Sequence, residues 1–113
     1  MSENKLGIIW SSADPEVATH MLFMYAHNSV KKAWWQEVRL IIWGPSAKLL
    51  VENAALQSKV KEMAADGVQI WACKSCSDEY GVSEALEKLG INVVYVGEPF
   101  TLMLQSDWKV ITF

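Results

Sequence analysis

Positive charge is thin in this sequence. Ten Lys and Arg are outnumbered by thirteen Asp and Glu, for a formal net charge of −3, and no basic run appears. A nucleic-acid partner, which needs a basic patch or stripe, is therefore not expected. No apolar run approaches the length of a membrane span, and the polar start Met1-Ser2-Glu3-Asn4-Lys5 lacks the basic, apolar and small-residue order of a secretory signal. The expected location is the cytoplasm, with no membrane partner. Metal-ligating residues are few: two cysteines, Cys73 and Cys76, and two histidines, His20 and His27. Structural zinc needs four ligands and no second C-x-x-C is present, so neither a metal nor a cofactor is expected. Nor is there a phosphate loop, because Gly44-Pro45-Ser46 is too short for the long Gly-rich loop ending in Lys-Ser/Thr. In a reducing compartment two cysteines are not a structural staple, and the spacing points to catalytic, redox or metal chemistry.

What the sequence does have is apolar material in a regular order. Its 113 residues, 51% of them hydrophobic, suit one domain over residues 1–113 with a single core. Solid apolar runs at 6–10, 37–43, 68–72 and 91–96 read as buried strands. Residues 107–113 read as a last, alternating strand, with Trp108 and Val110 on one face and Lys109, Ile111 and Phe113 on the other. Helical patterns fill the intervals. Asp14 as N-cap and Pro15 at the first helical position open a helix that runs to Lys32. Its apolar surface, from Val17, Met21 and Met24 round to Ala18, Leu22, Tyr25 and Ala26, is broader than one face requires. It serves either a deep core or another subunit. A second helix is expected over 47–53 with Ser46 as its cap after the Gly44 turn, and a third over 53–66 stopped by Gly67. Ser83 is placed to cap a segment ending at Gly90, and a turn at 97–99 leads into a helix over 100–106.

Strands alternating with helices imply a three-layer α/β/α fold with a five-stranded, mostly parallel sheet covered on both faces. In such sheets the ligand site lies beyond the carboxyl ends of the strands. The segments there are Ser11-Ser12, Gly44-Pro45-Ser46, Cys73-Lys74-Ser75-Cys76 and Gly97-Glu98.

The cysteines occupy the most telling of these positions. An apolar strand runs straight into Cys73-Lys74-Ser75-Cys76, and a polar, helix-prone segment follows as far as Gly81. Thiols there meet unpaired backbone N–H groups and the positive end of a helix dipole, and Lys74 adds a cation, all of which favour thiolate. A chance pair of small buried residues is the bland alternative, since cysteine is often buried. The polar neighbours Lys74, Ser75, Ser77, Asp78 and Glu79 argue for an accessible pair instead. The simple reading of Gly44-Pro45-Ser46 is a capping turn, and that of His20 and His27 a polar helix face.

Taken jointly, several stretches give the sequence a resemblance to the DsrE/DsrF-like family of small α/β proteins. They are the Ser-Ser-x-Asp loop after the first strand, Leu40-Ile41-Ile42-Trp43-Gly44-Pro45-Ser46, the strand leading to Cys73, Tyr80-Gly81-Val82, Leu89-Gly90-Ile91, and the closing Trp108-Lys109-Val110-Ile111-Thr112-Phe113. In relay members a cysteine after the third strand carries sulfur as a persulfide, and the matching position, measured back from Gly81-Val82, is Cys73. This chain departs from those members in its acidic Ser77-Asp78-Glu79 and in its second cysteine. The resemblance implies sulfur handling on Cys73. Read from the residues, Cys76, one helical turn on, is placed to attack that persulfide, and Lys74, Ser11, Ser12, Gly44 and Ser46 lie at the site's edge. The resemblance also implies sulfur donor and acceptor proteins or small thiols as partners, and assembly as a homotrimer or homohexamer. Two other readings stay open: an oligomeric small-ligand-binding module, and a C-x-x-C thiol oxidoreductase.

Overall fold

A computed structural model describes residues 4–113. Five parallel strands, β1 (Lys5–Trp10), β2 (Glu37–Ile42), β3 (Gln69–Cys73), β4 (Asn92–Val94) and β5 (Trp108–Thr112), form one sheet in the order β4-β3-β2-β1-β5. The first four strands step outward in one direction. The last connection then crosses back to lay β5 against the free flank of β1, pairing Lys5 with Trp108 and Ile9 with Thr112.

The connections differ in bulk. Between β1 and β2 run α1 (Pro15–Val17), a π-helical stretch (Ala18–Leu22) and α2 (Phe23–Lys31). Asp14 caps this rod as expected, accepting the Glu16 N–H at 2.9 Å, with Pro15 at the first position. Next come α3 (Pro45–Val51) and α4 (Ala54–Ala65), α5 (Lys74–Tyr80) and α6 (Ser83–Lys88), and finally α7 (Gly97–Leu104) between β4 and β5. Because the side chains of a strand alternate, the sheet has two cores. Leu6, Ile8, Trp10, Leu40, Ile42, Ile70 and Ala72 face the layer from α1 to α6 and pack on Leu22, Phe23, Leu50, Val60 and Met63. Ile9, Ile41 and Cys73 face the other way, onto Val96 and Met103. On that second side the core draws on α7, with Cys76 of the α5 segment at its margin, so the sheet is covered unequally.

Gly7 makes the close approach of α7 possible. A Cβ there would stand 2.5 Å from Met103 Cε, so the missing side chain is the hollow that Met103 fills. Beside Gly7 in the sheet register, Arg39 lies between two indoles, its guanidinium 4.0 Å from the Trp71 ring and 4.5 Å from that of Trp108. Arg39 donates to Gln69 at 2.9 Å and stands 3.6 Å from Glu37. Burial lowers its pKa, against the opposing pull of Glu37.

Several expectations are corrected. The α3 cap is Gly44 (φ 74°), not Ser46, which is fully buried and donates to the carbonyls of Trp10 and Trp43. Its hydroxyl ties the ends of β1 and β2 together, a use that local helix-cap spacing does not reveal. Ser83 is likewise the first residue of α6, with its hydroxyl turned back to Asp78 and Ser77. The π-helical stretch shifts the phase of the first helical rod. Ala18, Leu22, Phe23, Ala26 and Ser29 face inward, while Met21, Met24 and Tyr25 are exposed. Gly97-Glu98-Pro99, expected as a turn, opens α7, since Pro is compatible with the first helical turn.

Candidate functional site: the thiol pair at the carboxyl edge

β3 ends at Cys73, and the chain turns there directly into α5. Cys73 is the N-cap, with extended backbone (φ −71°, ψ 114°), and its side chain follows the strand alternation onto the α7 side. Cys76 comes one helical turn later and packs into the same cluster, which Trp43, Trp71, Val94 and Phe100 also border. Cys76 stands near enough to the Cys73 side chain and to the Gly44 backbone N–H, just after β2, for both to act on its thiol. Both sulfurs are unpaired thiols. In the same cluster Trp43 and Phe100 meet edge to face, their ring centroids 5.1 Å apart, which adds an apolar, aromatic border of the kind that sulfur packs against well.

The accessibility expected from the polar neighbours is half corrected. Cys73 is buried, 6% exposed, and Cys76 is half-buried. Ser75, Asp78, Glu79 and Tyr80 project from the outer face of α5, while the two cysteines take the inner face. Burial pushes the Cys76 thiol above its ordinary pKa. The Gly44 N–H opposes this and the neighbouring Cys73 adds to it. Lys74 is engaged elsewhere: its ammonium bonds both oxygens of Asp78, at 3.1 and 3.2 Å, and lies over the Tyr95 ring. That contact raises the Lys74 pKa, while the Ser83 hydroxyl first, and then Lys74, hold the Asp78 carboxyl below the usual range.

The other edge residues divide. Gly44 reaches the thiols through its backbone. Ser11 donates to the Phe113 carbonyl at 2.9 Å and Ser12 accepts the Asp14 N–H, so both hold the end of β1. Ser46 is turned into the sheet, and no described hydrogen bond joins Ser11, Ser12 or Ser46 to a sulfur. An open depression of about 380 Å³ lies at this edge beside Pro45, Lys48 and Tyr80, but neither cysteine lines it. The aromatic surround was missed from sequence, although strand alternation already puts Trp71 on the face of Cys73. Among the described residues no cluster of metal-ligating side chains occurs, and no helix is long and apolar enough to cross a membrane.

Fold and site together define an α/β protein with an all-parallel sheet and a dithiol at its carboxyl edge. The chain belongs to the DsrE/DsrF-like family, whose pattern it matches over residues 4–113. It is also similar to the solved structure of a conserved protein of unknown function from Bacteroides thetaiotaomicron. The two share 35% identity at a TM-score of 0.94, over 97% of this chain and 95% of that one. Among curated proteins, none matches.

Proposed function

We propose that this chain handles sulfane sulfur as a persulfide on Cys73, with Cys76 as the partner thiol. The placement of both thiols on one side of the β3–α5 junction carries the reading, and kinship with a family that includes sulfur-relay proteins supports it. The Cys73 thiolate attacks the outer sulfur of a donor persulfide. The donor S–S bond breaks, the donor departs as a thiolate that takes up a proton, and a new S–S bond leaves Cys73 as the persulfide. An acceptor thiolate that attacks the outer sulfur removes it and returns Cys73 to thiolate.

Cys76 offers a second exit. Its thiolate can attack the inner sulfur, expelling hydrosulfide and forming a Cys73–Cys76 disulfide, which an external dithiol must then reduce with two electrons. Because burial keeps Cys76 protonated at neutral pH, this exit is slow there. The pair is then a carrier near neutrality and diverts to sulfide release as pH rises. Donor and acceptor would be proteins or small thiols, met by a homotrimer or homohexamer of this chain in the cytoplasm.

The test is intact-mass analysis after exposure to a sulfane-sulfur donor. Wild type should gain one sulfur atom and Cys73→Ser none. Cys76→Ser should load and keep its persulfide longer, with the difference from wild type widening at alkaline pH. Loading of Cys73→Ser at the wild-type level would overturn the assignment.

A further inference from the structure

Across the sheet from the thiols, a cavity of about 210 Å³ opens between α2 and α4. We infer that it is a second binding site, for a small organic oxyanion. It does not depend on the sulfur chemistry. The polar lining comes from Thr19, His27, Asn28, Lys31 and Lys59, and no carboxylate lines it. On a chain with a net charge of −3, this local gathering of two ammonium groups, an amide and an imidazole has one sign of ligand to offer them to. The floor is apolar: Phe23 and Met63 are buried beneath it, and Met24 forms part of the rim.

One of these polar groups, the imidazole, is held in place. His27 Nε2 lies 2.6 Å from an Asp66 oxygen at the carboxyl end of α4, so the imidazole is oriented by the neighbouring helix. The His27 side chain is only 15% exposed. Lys59 has a loose companion in Glu62 at 3.5 Å, with both side chains more than half exposed, a pair that an incoming anion can displace at little cost. An independent observation lies on the same helical rod. Its π-helical turn, Ala18–Leu22, carries Thr19 into the lining and sets Phe23 under the floor. Such turns are rare and recur at functional sites.

Size narrows the class. Drug-sized sites occupy roughly 300–1,000 Å³, so this cavity suits a fragment: a carboxylate or phosphate head for the lysines and a short apolar body for Met24 and Met63.

The probes are phenyl phosphate, benzoate and uncharged benzyl alcohol, titrated into the full chain by calorimetry and followed by amide chemical shifts on α2 and α4. We expect at least one anion to bind with a Kd on the order of millimolar or tighter. The double variant Lys31→Gln with Lys59→Gln should weaken it by roughly tenfold or more. Lys88→Gln, on α6, should bind as wild type does, and an unchanged melting curve shows that the double variant is folded. Preference for phenyl phosphate identifies a phosphate head, and preference for benzoate a carboxylate. No binding of either anion, equal binding of benzyl alcohol, or undiminished binding by the double variant would overturn the site. Persulfide loading of Cys73 in the double variant should match wild type, so failure here and failure of the sulfur reading are separable.

Discussion

Cys76 is subject to opposing influences: burial raises its pKa, and the Gly44 N–H lowers it, with burial the stronger. The raised value fixes a sign. The folded chain holds the thiol proton more tightly than the unfolded chain does, so Cys76 stabilises below the unfolded pKa, and that stability is lost as pH rises through the folded one. Alkylation provides the measurement. On Cys73→Ser, where Cys76 is the one thiol, the rate against pH should have its midpoint above that of an unstructured cysteine peptide, because burial remains. A midpoint at or below the peptide's would show that the Gly44 N–H dominates. The strand-to-helix position of the cysteines was legible from the apolar run before Cys73. The protonated state was not, because Gly44 and Phe100 are distant in sequence. The Lys74–Asp78 pair was readable from its i,i+4 spacing, and it is what draws the expected cation away from the sulfurs.

The helix α5 depends on how it stops. Gly81 takes the left-handed conformation (φ 69°, ψ 30°), its N–H bonds the Asp78 carbonyl, and the Val82 N–H returns to Ser77 at 2.8 Å. Nothing stands within 4 Å of a Cβ built there, so Gly81→Ala would suffer backbone strain and no clash. It should cost about 1–2 kcal/mol in urea unfolding, and Gly81→Asn less, because Asn tolerates this conformation. Equal losses for the two would mean that strain is not the cause. Gly81 and Gly67 were legible as helix stops, and Asp14 and Pro15 as a helix start, since such signals are local. The misreadings at element scale have non-local causes. Ser46 answers to carbonyls on two strands, and the π-helical turn moves Tyr25 outward and Phe23 inward, which a fixed helical period cannot anticipate.

At the scale of the whole molecule, two cores of unequal size share one sheet, and the thiols belong to the smaller. Strand alternation made the order of elements and the parallel sheet legible. The unequal cover of the two faces was not, because the first four strands read as solid apolar runs that do not tell one face from the other. The inequality has a measurable form. Met103, 2% exposed, anchors α7 in the hollow at Gly7 and packs in the cluster that holds Cys73. Met103→Ala should destabilise by about 2–5 kcal/mol and speed alkylation of Cys73 under native conditions. Leu50→Ala, in the larger core, should cost a similar amount and leave that rate unchanged. Identical effects on Cys73 would mean that the two cores open as one. The strand order has one further consequence, for a chain still being made. The helical layer from α1 to α6 and four strands can assemble once β4 has emerged. Met103, Phe100 and the partner strand of β1 all come from residues 97–112. Until these arrive, β1 keeps an open edge, a hazard for nascent chains, and the sulfurs lack Phe100 and Met103, with only Trp43 and Trp71 of their aromatic surround in place. The dithiol is therefore the last part of the chain to be fully sheltered, although it is synthesised well before the segment that completes the shelter.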